Sequence, residues 1–461
     1  MFVLDKEKSE PLYIQLYNEI KKEIGNSFSY GSKLPSVRKV ATEYKISKNT
    51  VELAYKQLYT EGYIESVPKS GYFVADTLLE PHYDAGVTYQ TNTKPKMVLR
   101  YDFFPARLTH DTFPLKLWKR LFIKAMEEKL DFGAYGDRQG ELGLRAEISK
   151  YLIKSRGVVC DASQIIVCGG FNDSMSLIAA LFVNQLNEIA IEHPGYPATE
   201  KIFTDYGYTI TPVDVDHSGL NIDQLETTEA KLVYITPSHQ YPTGVNMPIS
   251  NRAKLLNWSK RTGGIIIEDD YDSELRYQNR PIPSLQGLDN DDRVIYVGTF
   301  SKSLSPALRI SYLVLPHRYL EAFKKLWQMR HQRCCVALST QKTLEQFMAG
   351  GHWERHLRKI RTLNRKKHDL MREALKKALG NMIEIISEGG GLAIMIRPTI
   401  SINLQKLRAN ALQEGVKLYL GSDDYGDAWE AIKMGFGGLQ EEEIEDAILL
   451  LKKIWLRTLA A

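Results

Sequence analysis

The sequence predicts two domains: a small N-terminal one built of helices closed by a hairpin, and a large α/β one with a smaller C-terminal subdomain. Three observations carry this. The chain has 461 residues, more than one hydrophobic core usually organises. Its first 76 residues show helical periodicity and then two short β-prone runs, whereas beyond residue 99 apolar strand-like runs alternate with helical stretches. Between the two patterns, from about Asp76 to Met97, the sequence turns polar and aperiodic. The expected organisation is therefore a domain over 1–76, a linker over 77–98 and a second domain over 99–461.

In the first domain Leu12, Leu16, Ile20 and Ile24 recur every four residues, with Lys21, Lys22 and Glu23 on the polar side, so a helix is expected up to about Gly25. Ser36 is placed to cap a short helix carrying Val37, Val40, Ala41 and Tyr44, and Ser47 to cap another with Val51, Ala54 and Leu58 on one face and Gly62 at its end. Residues 63–67 and 72–74 are β-prone and separated by Pro68-Lys69-Ser70-Gly71, which is hairpin chemistry. Helix, helix, turn, helix and hairpin make a winged helix-turn-helix. In the second domain the runs 164–167, 188–191, 231–235, 264–267 and 294–297 are apolar throughout instead of alternating, as in a sheet buried on both faces. After about residue 310 helix formers dominate, followed by a β-containing region over 383–436 and a last helix from Glu441.

Composition is that of an ordinary globular protein, with 43% hydrophobic and 25% charged residues. No run reaches the length of a membrane span, and the first ten residues lack the apolar core of a secretory signal, so a cytoplasmic location with no membrane partner is expected. The four cysteines, Cys160, Cys168, Cys334 and Cys335, have no zinc-like spacing and are expected to be reduced, buried thiols, with no metal site. The net charge of +4 argues nothing by itself. Its placement does: residues 33–48 hold Lys33, Arg38, Lys39, Lys45 and Lys48 against Glu43 alone, although residues 1–76 are nearly neutral. A helix start made of Ser47, Lys48, Asn49 and Thr50 offers amides to a phosphate and short polar side chains to base edges in a major groove of double-stranded DNA. A single lysine on such a helix is usually just solvated; the order of elements is what favours DNA.

Three strand ends in the second domain suggest a cofactor site, because ligands of open α/β sheets bind at the carboxyl ends of strands. The strand 294–297 runs into Thr299, Ser301 and Lys302, with Arg309 seven residues on. A lysine there can serve as a desolvated nucleophile, and the hydroxyls and guanidinium can hold a phosphate. The strand 264–267 releases Glu268, Asp269 and Asp270. A buried carboxylate at that point can keep a pyridine nitrogen protonated, Asp269 being preferred and Asp270 the alternative, with Tyr271 near the ring's phenolic oxygen. A metal-binding patch or a helix cap would also suit three consecutive acids. The strand 164–167 meets a helix through Gly169, Gly170 and Phe171, where backbone amides can close on a phosphate, and Tyr196 in HPGYPA can stack on a ring.

Residues 11–74 resemble the GntR winged-helix family through LPSVR and KNTV–AY–L–EGYI, and the resemblance implies DNA contacts from Ser36, Arg38, Ser47, Asn49, Thr50, Lys69 and Gly71. Residues 99–461 resemble fold-type-I aminotransferases through YGDRQGELGLRAEISKYL, PGYP, PSHQYPTG, EDDYDSELRY and TFSKSLSPALRISY. Together they resemble the MocR-type regulators. This implies a pyridoxal 5′-phosphate cofactor held as an aldimine by Lys302, with Asp269 on the ring nitrogen, Tyr271 on the phenolic oxygen, Tyr196 stacked and Arg309 on the phosphate. Tyr135 resembles a tyrosine that reaches the neighbouring subunit's phosphate, which implies a homodimer. Two departures bear on the ligand. Tyr241 stands where many aminotransferases have asparagine before Pro-Thr-Gly, and Lys433 stands near the usual carboxylate-clamping arginine, whose planar fork a lysine lacks. Lys433 is thus the candidate effector contact. The implied function is a regulator that binds operator DNA and senses an amine, an amino-acid-like effector or the cofactor itself. A true aminotransferase with an accessory DNA-binding domain, and a scaffold without chemistry, are the alternatives.

Overall fold

In the computed structural model the chain divides into two compact units, Met1–Pro95 and Lys96–Ala461. The structure describes residues 2–75 and 98–460, apart from 7, 9, 25, 129, 278–282, 330–333, 388 and 426–428. The expected linker 77–98 lies almost wholly outside the described residues.

In the first unit the helices Leu12–Glu23, Val37–Glu43 and Lys48–Thr60 precede β1 (Ile64–Val67) and β2 (Gly71–Val74), which pair antiparallel. The serine caps form as the sequence implies: Ser36 Oγ accepts the Lys39 amide and Ser47 Oγ the Thr50 amide. Leu16, Ile20, Val40, Val51, Ala54, Tyr55, Leu58 and Ile64 close one core, so each helix buries the stripe that its periodicity marks. The hairpin tip turns through Lys69, whose φ of 62° is left-handed.

The second unit is built on an eight-stranded sheet: β4 (Ile165–Cys168), β5 (Glu188–His193), β6 (Thr209–Asp216), β7 (Gly219–Leu220), β8 (Leu232–Ile235), β9 (Ile265–Asp270), β10 (Val294–Thr299) and β11 (Ser311–Val314). They lie in the order β4-β11-β10-β9-β8-β5-β6-β7. Neighbours from β10 to β6 are parallel, and β11 runs antiparallel between β10 and β4. The carboxyl ends of β4, β5, β8, β9 and β10 therefore share one edge, and β11 begins there with Ser311. Successive residues of the central strands enter different cores: Ile267, Ile295 and Val297 join one, Ile266 and Val294 another, and Tyr296 a third. That is why these strands read as unbroken apolar runs. Expected and observed bounds differ by a residue or two at most ends. β6 and β11 escape the apolar-run criterion: β6 lies toward the sheet's rim with half its residues exposed, and β11, though buried throughout, opens with the hydroxyl-bearing Ser311 and Tyr312.

The C-terminal subdomain is a sheet of β12 (Ile383–Ser387), β13 (Ala393–Pro398), β15 (Tyr419–Leu420) and β16 (Ile432–Gly435), in the order β12-β13-β16-β15. Helices His352–Leu379 and Glu441–Ala460 pack together over it. β3 (Tyr101–Asp102) pairs parallel with β14 (Val416–Lys417), which ties the start of the unit to this subdomain. One expectation is corrected: all four cysteines are free thiols, but only Cys168 is buried; Cys160 and Cys334 are half-buried, and Cys335 is exposed, its Sγ lying 3.3 Å from the Asp173 carboxylate at the surface. Among the described residues no helix is long and apolar enough to cross a membrane, and no group of His, Cys, Asp or Glu is arranged to hold a metal.

Candidate functional site

The shared sheet edge opens into a cavity of about 730 Å3. The ends of β9 and β10 contribute Asp269, Tyr271, Thr299, Ser301 and Lys302, the turn into β11 contributes Arg309, and the loop after β5 contributes Tyr196. Phe171 lines the same cavity from the start of the helix Phe171–Phe182. Folding thus brings together residues more than a hundred positions apart.

Lys302 borders the cavity and is otherwise enclosed. Burial pushes its pKa below the ordinary lysine value, against the opposing pull of Asp272 and Asp269. The neutral, nucleophilic amine is favoured accordingly. Asp269 is pushed up to about 7, first by burial, with the Tyr234 hydroxyl at 2.6 Å opposing the shift. A carboxyl so desolvated gains most from a cation brought against it. The alternative, Asp270, is set aside by geometry: it turns the other way to take Arg156 Nε and the Tyr296 hydroxyl, both at 2.6 Å, and does not line the cavity. Adjacent strand residues point to opposite faces, so only one of the pair can serve the cavity. Tyr271 lines the cavity while its hydroxyl donates to the His239 carbonyl at 3.0 Å. Tyr196 meets Phe171 and Tyr241 edge-on, with centroids 5.0 and 5.5 Å apart.

The Gly169 and Gly170 amides are engaged, donating to Asp173 at 2.7 Å and to Ser311 Oγ at 3.1 Å. The glycines provide room. Gly170 has a φ of +99°, and a Cβ on it would run into the Arg309 guanidinium. Arg309, itself left-handed at 52°, therefore lies directly over the N-terminus of the helix Phe171–Phe182, whose first amides lack intrahelical partners. Arg309, Phe171 at the helix start, Thr299 and Ser301 all border the cavity that Lys302 lines.

Several lining residues have no counterpart in the sequence reading. Tyr234 and Thr236 come from β8, and the segment Phe104–Phe113 after β3 lines the cavity with Phe104, Arg107, His110 and Phe113. Glu192, buried at the end of β5, accepts from Thr236 Oγ1 at 2.6 Å and is pushed up to about 7 by burial. Its signal is the one that marks Asp269, an acid closing an apolar strand. Lys433 of β16 borders a smaller void together with Lys302, Tyr241 and Tyr271. Tyr135 is 82% exposed and does not line its own chain's cavity.

In the first unit Arg38, Lys48, Asn49 and Lys69 are exposed. Ser36 and Ser47 are exposed too, but their oxygens accept capping amides, and Ser47 Oγ also meets Thr50 Oγ1 at 2.8 Å. Gly71 closes the hairpin at a φ of +117°, beside Lys33.

Residues 107–448 match the model of the aminotransferase class I and II family, and residues 12–74 that of the bacterial regulatory proteins of the gntR family. The chain is 37% identical over 461 residues to the uncharacterized HTH-type transcriptional regulator YhdI of Bacillus subtilis, covering 98% of this chain and 97% of the relative. It is 29% identical to the probable rhizopine catabolism regulatory protein MocR of Rhizobium meliloti, covering 99% and 96%. The chain belongs to the MocR-type transcriptional regulators. The large unit of this regulator superposes on the kynurenine aminotransferase of Pyrococcus horikoshii with a TM-score of 0.71 and 26% identity, covering 79% of this chain and 93% of the other. Its large unit thus has the fold of the pyridoxal-phosphate-dependent aminotransferases, with a GntR helix-turn-helix in front.

Proposed function

We propose that the regulator holds pyridoxal 5′-phosphate at Lys302 and binds operator DNA through its first unit. In this reading it works in the cytoplasm as a homodimer and alters its DNA binding when an amine, an amino-acid-like effector or the cofactor itself occupies the cavity. The observation that carries this is the convergence of Lys302, Asp269 and Arg309 on one cavity. The residues fit the group. Arg309, the helix start and the Thr299 and Ser301 hydroxyls suit a dianionic phosphate, and the space for Arg309 exists only because Gly170 has no side chain. Asp269, dry and raised, suits a protonated ring nitrogen. Tyr196 offers an aromatic face and Tyr271 a hydroxyl at the cavity wall.

When bound, the cofactor supplies an aldehyde that condenses reversibly with primary amines. Lys302 provides the resident amine in its neutral form. Asp269, standing as the carboxylate, would keep a proton on the ring nitrogen and not on its own oxygen. The buried Tyr234 fixes Asp269 through their 2.6 Å bond. Switching requires that a ligand bind one arrangement of the protein better than another. The homodimer is supported by the outer face of the helix Leu115–Glu127, where Leu115, Phe122, Ile123 and Met126 share one exposed stripe near Phe132 and Tyr135. DNA binding rests on the exposed Arg38, Lys48, Asn49 and Lys69 and on the capped helix start behind Ser47.

The test is spectroscopic. Purified regulator with pyridoxal phosphate should absorb in the visible, borohydride should fix the cofactor on a peptide containing Lys302, and Lys302→Ala should lose both signals. Unchanged absorbance in Lys302→Ala overturns the assignment.

A further inference from the structure

Lys302 and Lys433 border one small void, of about 60 Å3, together with Tyr241, Tyr271, His239 and Asp272. A ligand whose amine reaches Lys302 would point an α-carboxylate toward Lys433. Lys433 is not waiting for one. It is 5% exposed, its ammonium is paired with the Asp424 carboxylate, and it lies 6.0 Å from the Tyr241 ring centre and 5.9 Å from that of Tyr425. An acid and two aromatic rings around an ammonium make a cation cage, and its occupant here is the chain's own lysine.

Asp424 is held in this position. It belongs to the short helix Ser422–Tyr425, which follows β15, and β15 pairs with β16 so that Tyr419 stands opposite Lys433. Arg408 binds Asp423 at 2.6 Å, and the Leu420 amide donates to the other Asp423 oxygen at 3.2 Å. The Asp424 amide closes on the Gly421 carbonyl at 3.0 Å, and Tyr425 packs edge-on against Trp429 at 4.8 Å. Among the described residues on these walls, the arginines are engaged elsewhere: Arg309 stands over the helix start, and Arg107 is paired with Asp102 at 3.1 Å.

We propose that Asp424 takes, from within the chain, the place of a ligand carboxylate on Lys433, so that the cavity selects primary amines lacking an α-carboxylate. This rests on the reading of Lys302 as the cofactor lysine. The charge balance decides the preference. Lys433 and Asp424 sum to zero, so an incoming carboxylate finds no net field. It must displace Asp424 from an ammonium that, unlike a guanidinium, has no second parallel edge to offer. Asp424 would then be left beside the Tyr196 and Tyr241 rings, whose hydroxyls already feel its charge. An amine with an apolar substituent meets none of this.

The experiment uses the full chain loaded with pyridoxal phosphate and matched pairs, phenylalanine against phenethylamine and leucine against isoamylamine. Each ligand is corrected for its free-base fraction. Binding is read from the visible band and, independently, from the thermal shift. The amines should bind at least about tenfold tighter than the amino acids, the ratio one charge-assisted hydrogen bond supports. Asp424→Asn, which keeps the shape and frees Lys433, should move that ratio about tenfold toward the amino acids, and the smaller Asp424→Ser should move it the same way. Amino acids that bind the wild type as well as their amines, or a ratio unchanged in both variants, overturn the proposal while leaving the cofactor reading intact. A wild type that shows no visible band with pyridoxal phosphate overturns both.

Discussion

Gly170→Ala tests whether Arg309 and the start of the helix Phe171–Phe182 work as one anion site. The added Cβ has two separate consequences. At a φ of +99° and a ψ of 177°, a region that essentially only glycine adopts, an alanine backbone is strained by about 1–3 kcal/mol, and this falls on the stability of the fold. The Cβ would also lie 2.7 Å from Arg309 Cζ, so the guanidinium must swing off the helix end. Arg309 cannot follow by shifting its own backbone, which is already left-handed at 52° and closes the turn into β11. A phosphate then loses up to two charge-assisted bonds of about 1.5–3 kcal/mol each, which is about a hundredfold to ten-thousandfold in affinity. Titrating apoprotein with pyridoxal phosphate measures that loss, and thermal unfolding of the apoprotein measures the backbone part alone. Arg309→Lys keeps the charge but removes the fork. If both variants break one interaction, the double variant binds no more weakly than the weaker single one. Cofactor affinity within about threefold of wild type in Gly170→Ala, or additive losses in the double variant, would refute the reasoning.

Arg38→Ala should weaken binding to every duplex tested and lower the slope of affinity against salt by about one, whereas Asn49→Ala should change which sequence is preferred, at about 1–3 kcal/mol per base contact, both read by fluorescence anisotropy across a salt series. Equal losses on all sequences for Asn49→Ala would move it from base reading to the backbone. Glu274 is buried against Tyr151 and pushed up to about 7, mainly by burial, so the folded protein binds its proton more tightly than the unfolded chain does. Its contribution is fully present below the ordinary glutamate pKa and is lost as pH rises through 7. Glu274→Gln should therefore match wild type at about pH 4 and be more stable at about pH 8, by up to about 3 kcal/mol, in denaturant titrations at the two pH values. Equal stability at both would place the carboxyl in contact with water.

The architecture was legible wherever burial is one-sided or complete. The helical stripes Leu16–Ile20–Ile24 and Val51–Ala54–Leu58 mark single core-facing sides, and β9 and β10 read as apolar runs because both faces of the sheet are covered. β6 was not legible for the same reason in reverse: its sequence TITPVDVD is that of a half-exposed strand. Cys335 follows a different logic, since a thiol's apolar character says little about a residue exposed at the surface beside Asp173.

The candidate site divides along the same line. Lys302, Asp269, Phe171 and Arg309 follow the ends of apolar strands, and a parallel sheet gathers such ends at one edge whatever the sequence distance between them. Phe104–Phe113 reaches the cavity, and Asp424 reaches Lys433, through pairings that no local pattern announces, β3 with β14 and β15 with β16. The acids Asp269 and Asp270 show how far the pattern goes. Composition places both at the end of β9, and alternation requires that they part, but which one meets the cavity depends on the partners each face offers. Arg156, arriving from the end of the helix Leu142–Arg156, neutralises Asp270 at 2.6 Å, whereas Asp269 has only the neutral Tyr234 hydroxyl at that distance. The carboxylate left without a bonded cation is the one facing the cavity, and under the proposed function that asymmetry is what would favour a protonated ring there.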